Sequence, residues 1–458
     1  MERLTVALLN DSFPPTIDGV ASVVLNYASI IQKNHGTAVE ATPWYPDVTD
    51  NYPFDVLRYP SANVSKRIGY RAGYPFDPIA VTQLEKRGID IIHTHCPFVS
   101  TVLARVLRYY TGAPVVFTYH TKFDYDIAKR VAFNPIRKVS VKFLMANINA
   151  CDEVWVVSEG AGENLRSLGY KGSYLVMDNG TDFARGRAGG DEVGKLSRQL
   201  GLDAETPVFL FVGRMMWYKG VRLILDGLKT AKDRGRRFRM ILVGDGVDRP
   251  EIMAYARELG MEGDCIFPGA IRDRELLRTY FSRADLFIFP NNYDTNGIVV
   301  KEAAACDCPA LLLKGSCAAE GIENNETGVL VDESPEAVAD GLEIVWNNPE
   351  LLRQIGRNAG ERVYLSWEDA VARAYQRYEV VLQNERRLSR RLPAGQMLFQ
   401  GVHDVQEAAR EAEFQMEYGV RRVRHTYRLA GRRLRRGYRR AGNKVKEELQ
   451  RIIDDIVE

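Results

Sequence analysis

The chain has 458 residues, 45% apolar and 27% charged, the balance of an ordinary soluble globular protein, and it exceeds the roughly 100 to 200 residues of a single domain. Its formal charge of +2 conceals a division, because residues 384–458 carry 18 Lys and Arg against 11 Asp and Glu, which leaves the rest net acidic. The longest apolar runs, such as Val208 to Val212, are strand-length against the roughly 20 residues of a spanning helix. Six scattered cysteines (Cys96, Cys151, Cys265, Cys306, Cys308 and Cys317), without a CxxC pair or metal-ligand spacing, argue for reduced thiols in a cytosolic protein.

Met1-Glu2-Arg3 leads straight into a strand, without the apolar region or cleavage site of a signal peptide. Strands are predicted at Thr5 to Leu9, Ile89 to His93, Val115 to Tyr119 and Glu153 to Val157, alternating with helical patterns as in βαβ units. They end in polar loops: Asn10-Asp11, His93-Thr94-His95, His120-Thr121 and Ser158-Glu159. In open α/β sheets ligands sit beyond the carboxyl ends of strands, so these loops are expected to line a cleft. The glycine-rich stretch from Gly186 to Gly194 reads as a hinge or linker.

The strand pattern restarts at Val208 to Val212, Met240 to Val243, Leu286 to Phe289 and Ala310 to Leu313. Ser366 then caps a helix running to about Gln383. Beyond a break at Leu392-Pro393-Ala394-Gly395, small and apolar residues from Val402 to Ile456 recur at steps of three and four, the pattern of an amphipathic helix. The expected architecture is α/β, with two doubly wound, Rossmann-like parallel-sheet domains facing a cleft and a C-terminal amphipathic helical tail. The expected boundaries are 1–180, a hinge at 181–205, a second domain at 206–366, a final helix at 367–383 returning towards the first domain, and a basic tail at 384–458.

Two stretches of the second domain carry chemistry. Gly213-Arg214-Met215-Met216-Trp217-Tyr218-Lys219-Gly220 follows a strand and opens a helix, and its Arg and Lys can both reach a diphosphate, the Arg bidentately. Asn292 to Glu302 is a loop feeding a helix. Its outward amides suit a phosphate, and Asp294 and Glu302 suit sugar hydroxyls. Both loops end strands of one sheet, so they are expected to converge on one ligand, a sugar attached to a diphosphate.

These motifs, together with Gly244-Asp245-Gly246, Asp90-Ile91-Ile92-His93-Thr94-His95, Thr118-Tyr119-His120-Thr121, Asn179-Gly180-Thr181-Asp182 and Ser366-Trp367, resemble the retaining GT-B nucleotide-sugar glycosyltransferases of family 4 over about residues 1 to 383. The resemblance implies an acceptor-binding first domain and a donor-binding second domain. It places Arg214 and Lys219 on the donor diphosphate, Glu302 on the ribose, Asp294 on the sugar, and the amides around Asn296, Gly297 and Ile298 on sugar and phosphate. Gly244 joins the donor site, Gly19 approaches the donor from the first domain, and His120 stands beside the transferred sugar. A histidine at a strand end can brace the sheet or touch substrate, and of His93 and His95 the latter is the better candidate for an acceptor contact.

Three departures concern the site, one of them Asn296, where the family commonly has Phe just before the glycine at 297. The first acid is Asp294 where the family commonly has Glu. Asp307 replaces a glycine between Cys306 and Cys308, which a left-handed backbone there tolerates.

The implied reaction is retaining hexosyl transfer, with UDP-glucose as the family-weighted donor, no cofactor and no metal. The acceptor is expected to be a membrane lipid, met from the cytoplasm by a peripherally bound protein. Arg137, Lys138 and Lys142 interleave with apolar residues, and Gly419 to Lys446, which includes Arg432, Arg433, Arg435 and Arg436, has 12 basic residues and no acid. Docking of the tail on the body of the protein, or self-association through it, is the competing use of that segment, and nucleic acid is disfavoured because few aromatics accompany the arginines. Alternative functions are transfer to a soluble saccharide or protein, a non-catalytic scaffold of the same fold, and an epimerase or phosphorylase.

Overall fold

The first strand, β1 (Thr5–Leu9), is apolar and almost wholly buried, as befits the centre of a parallel sheet covered on both faces. The computed structural model describes residues 3–16, 18–63, 71–122 and 134–388. The chain forms two compact units, one of Met1–Trp155 and Asn164–Leu175 with the last helix from Ala374, the other of Val156–Glu163 and Val176–Arg373.

In the first unit β1 is joined by β2 (Thr37–Pro43) and β3 (Asp55–Tyr59), a short hairpin of β4 (Ser61–Asn63) and β5 (Arg71–Gly73), then β6 (Ile91–Thr94), β7 (Val115–Tyr119), β8 (Glu153–Val156) and β9 (Leu175–Val176). The seven-stranded sheet has the order β3-β2-β1-β6-β7-β8-β9. β1 pairs in parallel with β2 on one side, Leu8 opposite Glu40, and with β6 on the other, Leu8 opposite His93. The order reverses at β1, so this is a doubly wound sheet. The helix Gly19–Ile30 starts where Asp18 accepts from the Ala21 amide at 2.7 Å. The last helix, Trp367–Leu388, extends past the expected end and buries Tyr375 and Tyr378 in this unit, where the Tyr375 hydroxyl accepts from the Leu4 amide at 2.7 Å.

The second unit repeats the plan with β10 (Val208–Val212), β11 (Arg239–Val243), β12 (Cys265–Gly269), β13 (Leu286–Phe289), β14 (Ala310–Leu313) and β15 (Val329–Val331), ordered β12-β11-β10-β13-β14-β15. All five pairings are parallel. The core gathers Phe209, Phe211, Phe287 and Phe289 from the two central strands. The stretch expected as a hinge needs correction. Residues from Gly190 form a helix, Gly190–Leu200, whose Leu196 packs into this core together with Leu202 and Phe183. Glycine composition alone suggested a linker, and burial of these apolar side chains overrides it.

Asp307 does occupy the left-handed region, at φ 50. It follows the helix Ile298–Ala305, a place where a residue with positive φ commonly ends the element. Among the described residues no helix is long and apolar enough to cross a membrane.

Candidate active site

The strand order of the second unit reverses between β10 and β13, so the loops after these strands flank the switch point where α/β sheets bind ligands. They are Gly213–Gly220 and Pro290–Gly297. Gly220 has φ +80, and a Cβ there would lie 2.1 Å from the Pro290 carbonyl oxygen, so glycine is what lets the two loops touch. The first loop is also tied to the Gly244-Asp245-Gly246 turn, since the Gly213 amide donates to Val243 and the Met215 amide to Asp245, each at 3.0 Å. Arg214 is exposed on this loop.

Lys219 ends a short 3-10 turn, Trp217–Lys219, and its Nζ reaches Asp294 Oδ2 at 3.1 Å. Residues 75 apart in sequence thus meet at one point. Burial pushes the Asp294 carboxyl up, but Lys219 and the amides of Gly297 and Thr295 outweigh it and hold the group below its ordinary value. Asp294 is therefore ionised, and it holds the Lys219 ammonium beside it at the end of the loop.

Gly297, at φ 62, is the N-cap of the helix Ile298–Ala305. A Cβ on it would sit 3.0 Å from that of Ala318. Three polar side chains around this helix are committed to the protein. Asn296 Nδ2 donates to the Val157 carbonyl and lies 3.3 Å from Asp178 Oδ1. Lys301, buried, donates to the Asn179 carbonyl at 2.7 Å and pairs with Asp178 at 3.0 Å. Glu302, also buried, accepts through Oε1 from Arg274 Nη2 at 2.6 Å, and Arg274 in turn pairs with Asp182. Burial raises the Glu302 carboxyl above its ordinary value, and Arg274 only partly offsets this.

The carboxyl ends of β6 and β7 in the first unit hold a buried histidine cluster. His93 uses both ring nitrogens, Nδ1 with the Tyr378 hydroxyl and Nε2 with Thr118 Oγ1, each at 2.7 Å. Of the two roles open to His93, bracing is the one that suits a ring with both nitrogens bonded within the protein. His95 Nδ1 meets His120 Nε2 at 2.9 Å, with the two rings stacked. Burial drives all three imidazoles to lower pKa, His120 to about 3, although Asp18 pulls it the other way. All three are neutral at physiological pH. Gly19 opens the helix capped by Asp18, and nothing lies within 4 Å of where its Cβ would be. Backbone atoms there are open to a ligand.

Residues 17–185 match the family described as Glycosyltransferase Family 4, and residues 193–362 the one described as Glycosyl transferases group 1. The chain belongs to glycosyltransferase family 4. The glycosyltransferase is 26% identical over 403 residues to a GDP-mannose-dependent alpha-mannosyltransferase of Corynebacterium glutamicum, covering 85% of this chain and 91% of that one. It is 24% identical over 388 residues to an alpha-monoglucosyldiacylglycerol synthase of Streptococcus pneumoniae, covering 80% and 86%. Its GT-B fold is shared with the sucrose-phosphate synthase of Thermosynechococcus elongatus, at a TM-score of 0.66 and 22% identity, covering 83% of this chain and all of that one. The same holds for Anabaena HepE in complex with UDP, at 0.64 and 17%, with the same coverage.

Arg214, Lys219, Gly244, Asp294, Gly297, Ile298 and Glu302 all lie on or beside the switch-point loops of the glycosyltransferase's second unit. Asn296 belongs there too: its Nδ2 donates to Val157, while its Oδ1, buried, has no hydrogen-bond partner among the described residues. Lys142 is exposed on the helix Asn134–Asn149. The side chains of Arg137 and Lys138, and all of the tail with Arg432, Arg433, Arg435 and Arg436, lie outside the described residues. Arg274 has no counterpart in the sequence reading, and Asp178, Asp182 and Lys301 lie in or beside recognised stretches without an assigned role. The Arg274 pairing had no local signal, since its partners are 92 and 28 residues away.

Proposed function

We propose that this glycosyltransferase moves a hexose, glucose from a UDP-linked donor, to a hydroxyl of a membrane lipid, with retention at the anomeric carbon and without a metal. The observation that carries the donor half is the meeting of Lys219 and Asp294 at the switch point, beside the outward amides of the helix from Ile298. On this reading the cations Lys219 and Arg214 take the diphosphate and stabilise the charge that grows on it as the sugar departs. Asp294, already ionised, accepts from sugar hydroxyls, and Glu302 accepts from the ribose. No proton needs to come from His120, whose neutral imidazole serves as a hydrogen-bonding group. In same-face attack the departing phosphate itself helps to take the acceptor proton, while the protein supplies position and charge.

The lipid acceptor is supported by the likeness to two monoglucosyldiacylglycerol synthases, from Streptococcus pneumoniae and Acholeplasma laidlawii, and by the basic amphipathic sequence of the tail. A soluble acceptor is the second reading, favoured by the likeness to a D-inositol 3-phosphate glycosyltransferase of Corynebacterium glutamicum. Incubation with UDP-glucose or GDP-mannose and a membrane lipid extract decides between them. A labelled lipid formed from UDP-glucose, undiminished by EDTA, is the expected result. Transfer from GDP-mannose alone overturns the donor, and transfer only to soluble sugars overturns the acceptor. Peripheral attachment at the cytoplasmic membrane face has its own check: removing residues 384–458 is expected to reduce co-sedimentation with anionic vesicles, and equal sedimentation refutes it.

A further inference from the structure

Glu302 is a buried acid whose ionised form burial disfavours. It lies in the first turns of the helix Ile298–Ala305 and is only 8% exposed. A carboxylate accepts at both oxygens only when ionised, and a protonated one gives up part of that capacity. The two adjacent hydroxyls of a ribose both donate best to an ionised carboxylate. Desolvation works against that state.

The counterweight is Arg274, at the start of the helix Arg274–Arg283. Its Nη2 holds Glu302 Oε1, its Nε donates to Asp182 Oδ2 at 2.9 Å, and its guanidinium lies 4.3 Å over the ring of Phe183. A planar fork held at its edge by two acids and on its face by a ring has little rotational freedom. The charged and titratable groups facing Glu302 are Arg274, Asp182 and the Cys306 thiol. Of these only Arg274 favours the carboxylate.

We propose that Arg274 is a positioning residue of the donor site, which fixes Glu302 Oε1 so that the carboxylate stays ionised and oriented towards the ribose of a nucleoside diphosphate. Nucleotide affinity then depends on a side chain that does not touch the nucleotide. Asp182 sets the angle of the fork and has the smaller effect of the two acids. The proposal rests on the assignment of Glu302 to the ribose, and the experiment separates the two.

Calorimetric titration of the full-length protein with UDP, GDP and 2′-deoxy-UDP, between about pH 5.5 and 8.5, is compared for wild type, Arg274→Met, Arg274→Lys and Glu302→Gln, with a thermal melt of each. Arg274→Met is expected to weaken binding of the preferred nucleotide roughly tenfold at neutral pH and to move the acid-side loss of affinity upward by about one pH unit. It is also expected to shrink the preference for UDP over 2′-deoxy-UDP; if only GDP binds, the same upward move of the acid-side loss is expected for GDP. A brace that merely supports the fold moves the melt and neither of these. Arg274→Lys, a single point charge, is expected to recover part of the affinity, and it serves alone if the Met variant does not fold. Unchanged affinity and pH dependence in the Arg274 variants, with weakened binding in Glu302→Gln, overturns the proposal. If Glu302→Gln binds as wild type, the ribose assignment falls and the proposal with it. If wild type binds neither UDP nor GDP, the donor reading itself falls and takes both.

Discussion

The two units share one topology and put opposite chemistry at the carboxyl ends of their central strands. Beyond β10 and β13 stand ion pairs, Lys219 with Asp294 and Arg274 with Glu302. At the ends of β6 and β7 stand three buried, neutral imidazoles, those of His95 and His120 stacked. A doubly wound sheet dictates where a ligand sits and leaves open what it is, and the side chains at the strand ends make that choice. The charged end suits a diphosphate, whose negative charge must be met. The neutral end suits hydroxyl groups, which need hydrogen bonds and no counter-charge.

That contrast is most exposed to Lys219→Ala. Removing one preorganised cation from a site where charge develops is expected to lower kcat/KM by roughly 10² to 10³. Steady-state kinetics on nucleotide-sugar turnover checks it, and a loss below about threefold would put the working charge elsewhere in the fold. The histidine end is tested by acid. A buried histidine whose folded pKa lies below its unfolded value contributes stability that is complete above the unfolded value and is lost as pH falls towards the folded one. For His120 that window runs from the ordinary value of 6.5 down to about 3. The melting temperature is therefore expected to fall steadily on acidification from about pH 7 to 5, and His120→Asn to flatten that slope. A melt independent of pH would show that these imidazoles are not held neutral. The smallest effect belongs to Asp18, which caps the helix opened by Gly19. Asp18→Ala is expected to cost about 1 kcal/mol in denaturant unfolding. It also removes a charge that pulls His120 upward, so the acid sensitivity should sharpen slightly.

Much of this was legible along the chain. The strands at Thr5–Leu9, Val115–Tyr119, Val208–Val212, Leu286–Phe289 and Ala310–Leu313 stand where continuous apolar runs placed them. A strand buried on both faces must be apolar throughout, and such runs are short and unmistakable. The hinge was misread because glycine marks flexibility only where nothing packs, and Leu196 packs. The donor loops were recognised because Asp294 and Glu302 fall on one loop and helix, close in sequence.

What sequence alone determined, then, was the alternation of strands and helices, the two-domain α/β plan and the residue types at the strand ends, all consequences of local pattern. What only the tertiary structure decided was their partners. Lys219 finds Asp294, Lys301 finds Asp178, and Arg274 joins Asp182 to Glu302, across gaps of 75, 123, 92 and 28 residues. The physical reason is that an ion pair needs two side chains within a few ångströms of each other in space, and sequence spacing sets that distance only within an element or a tight turn.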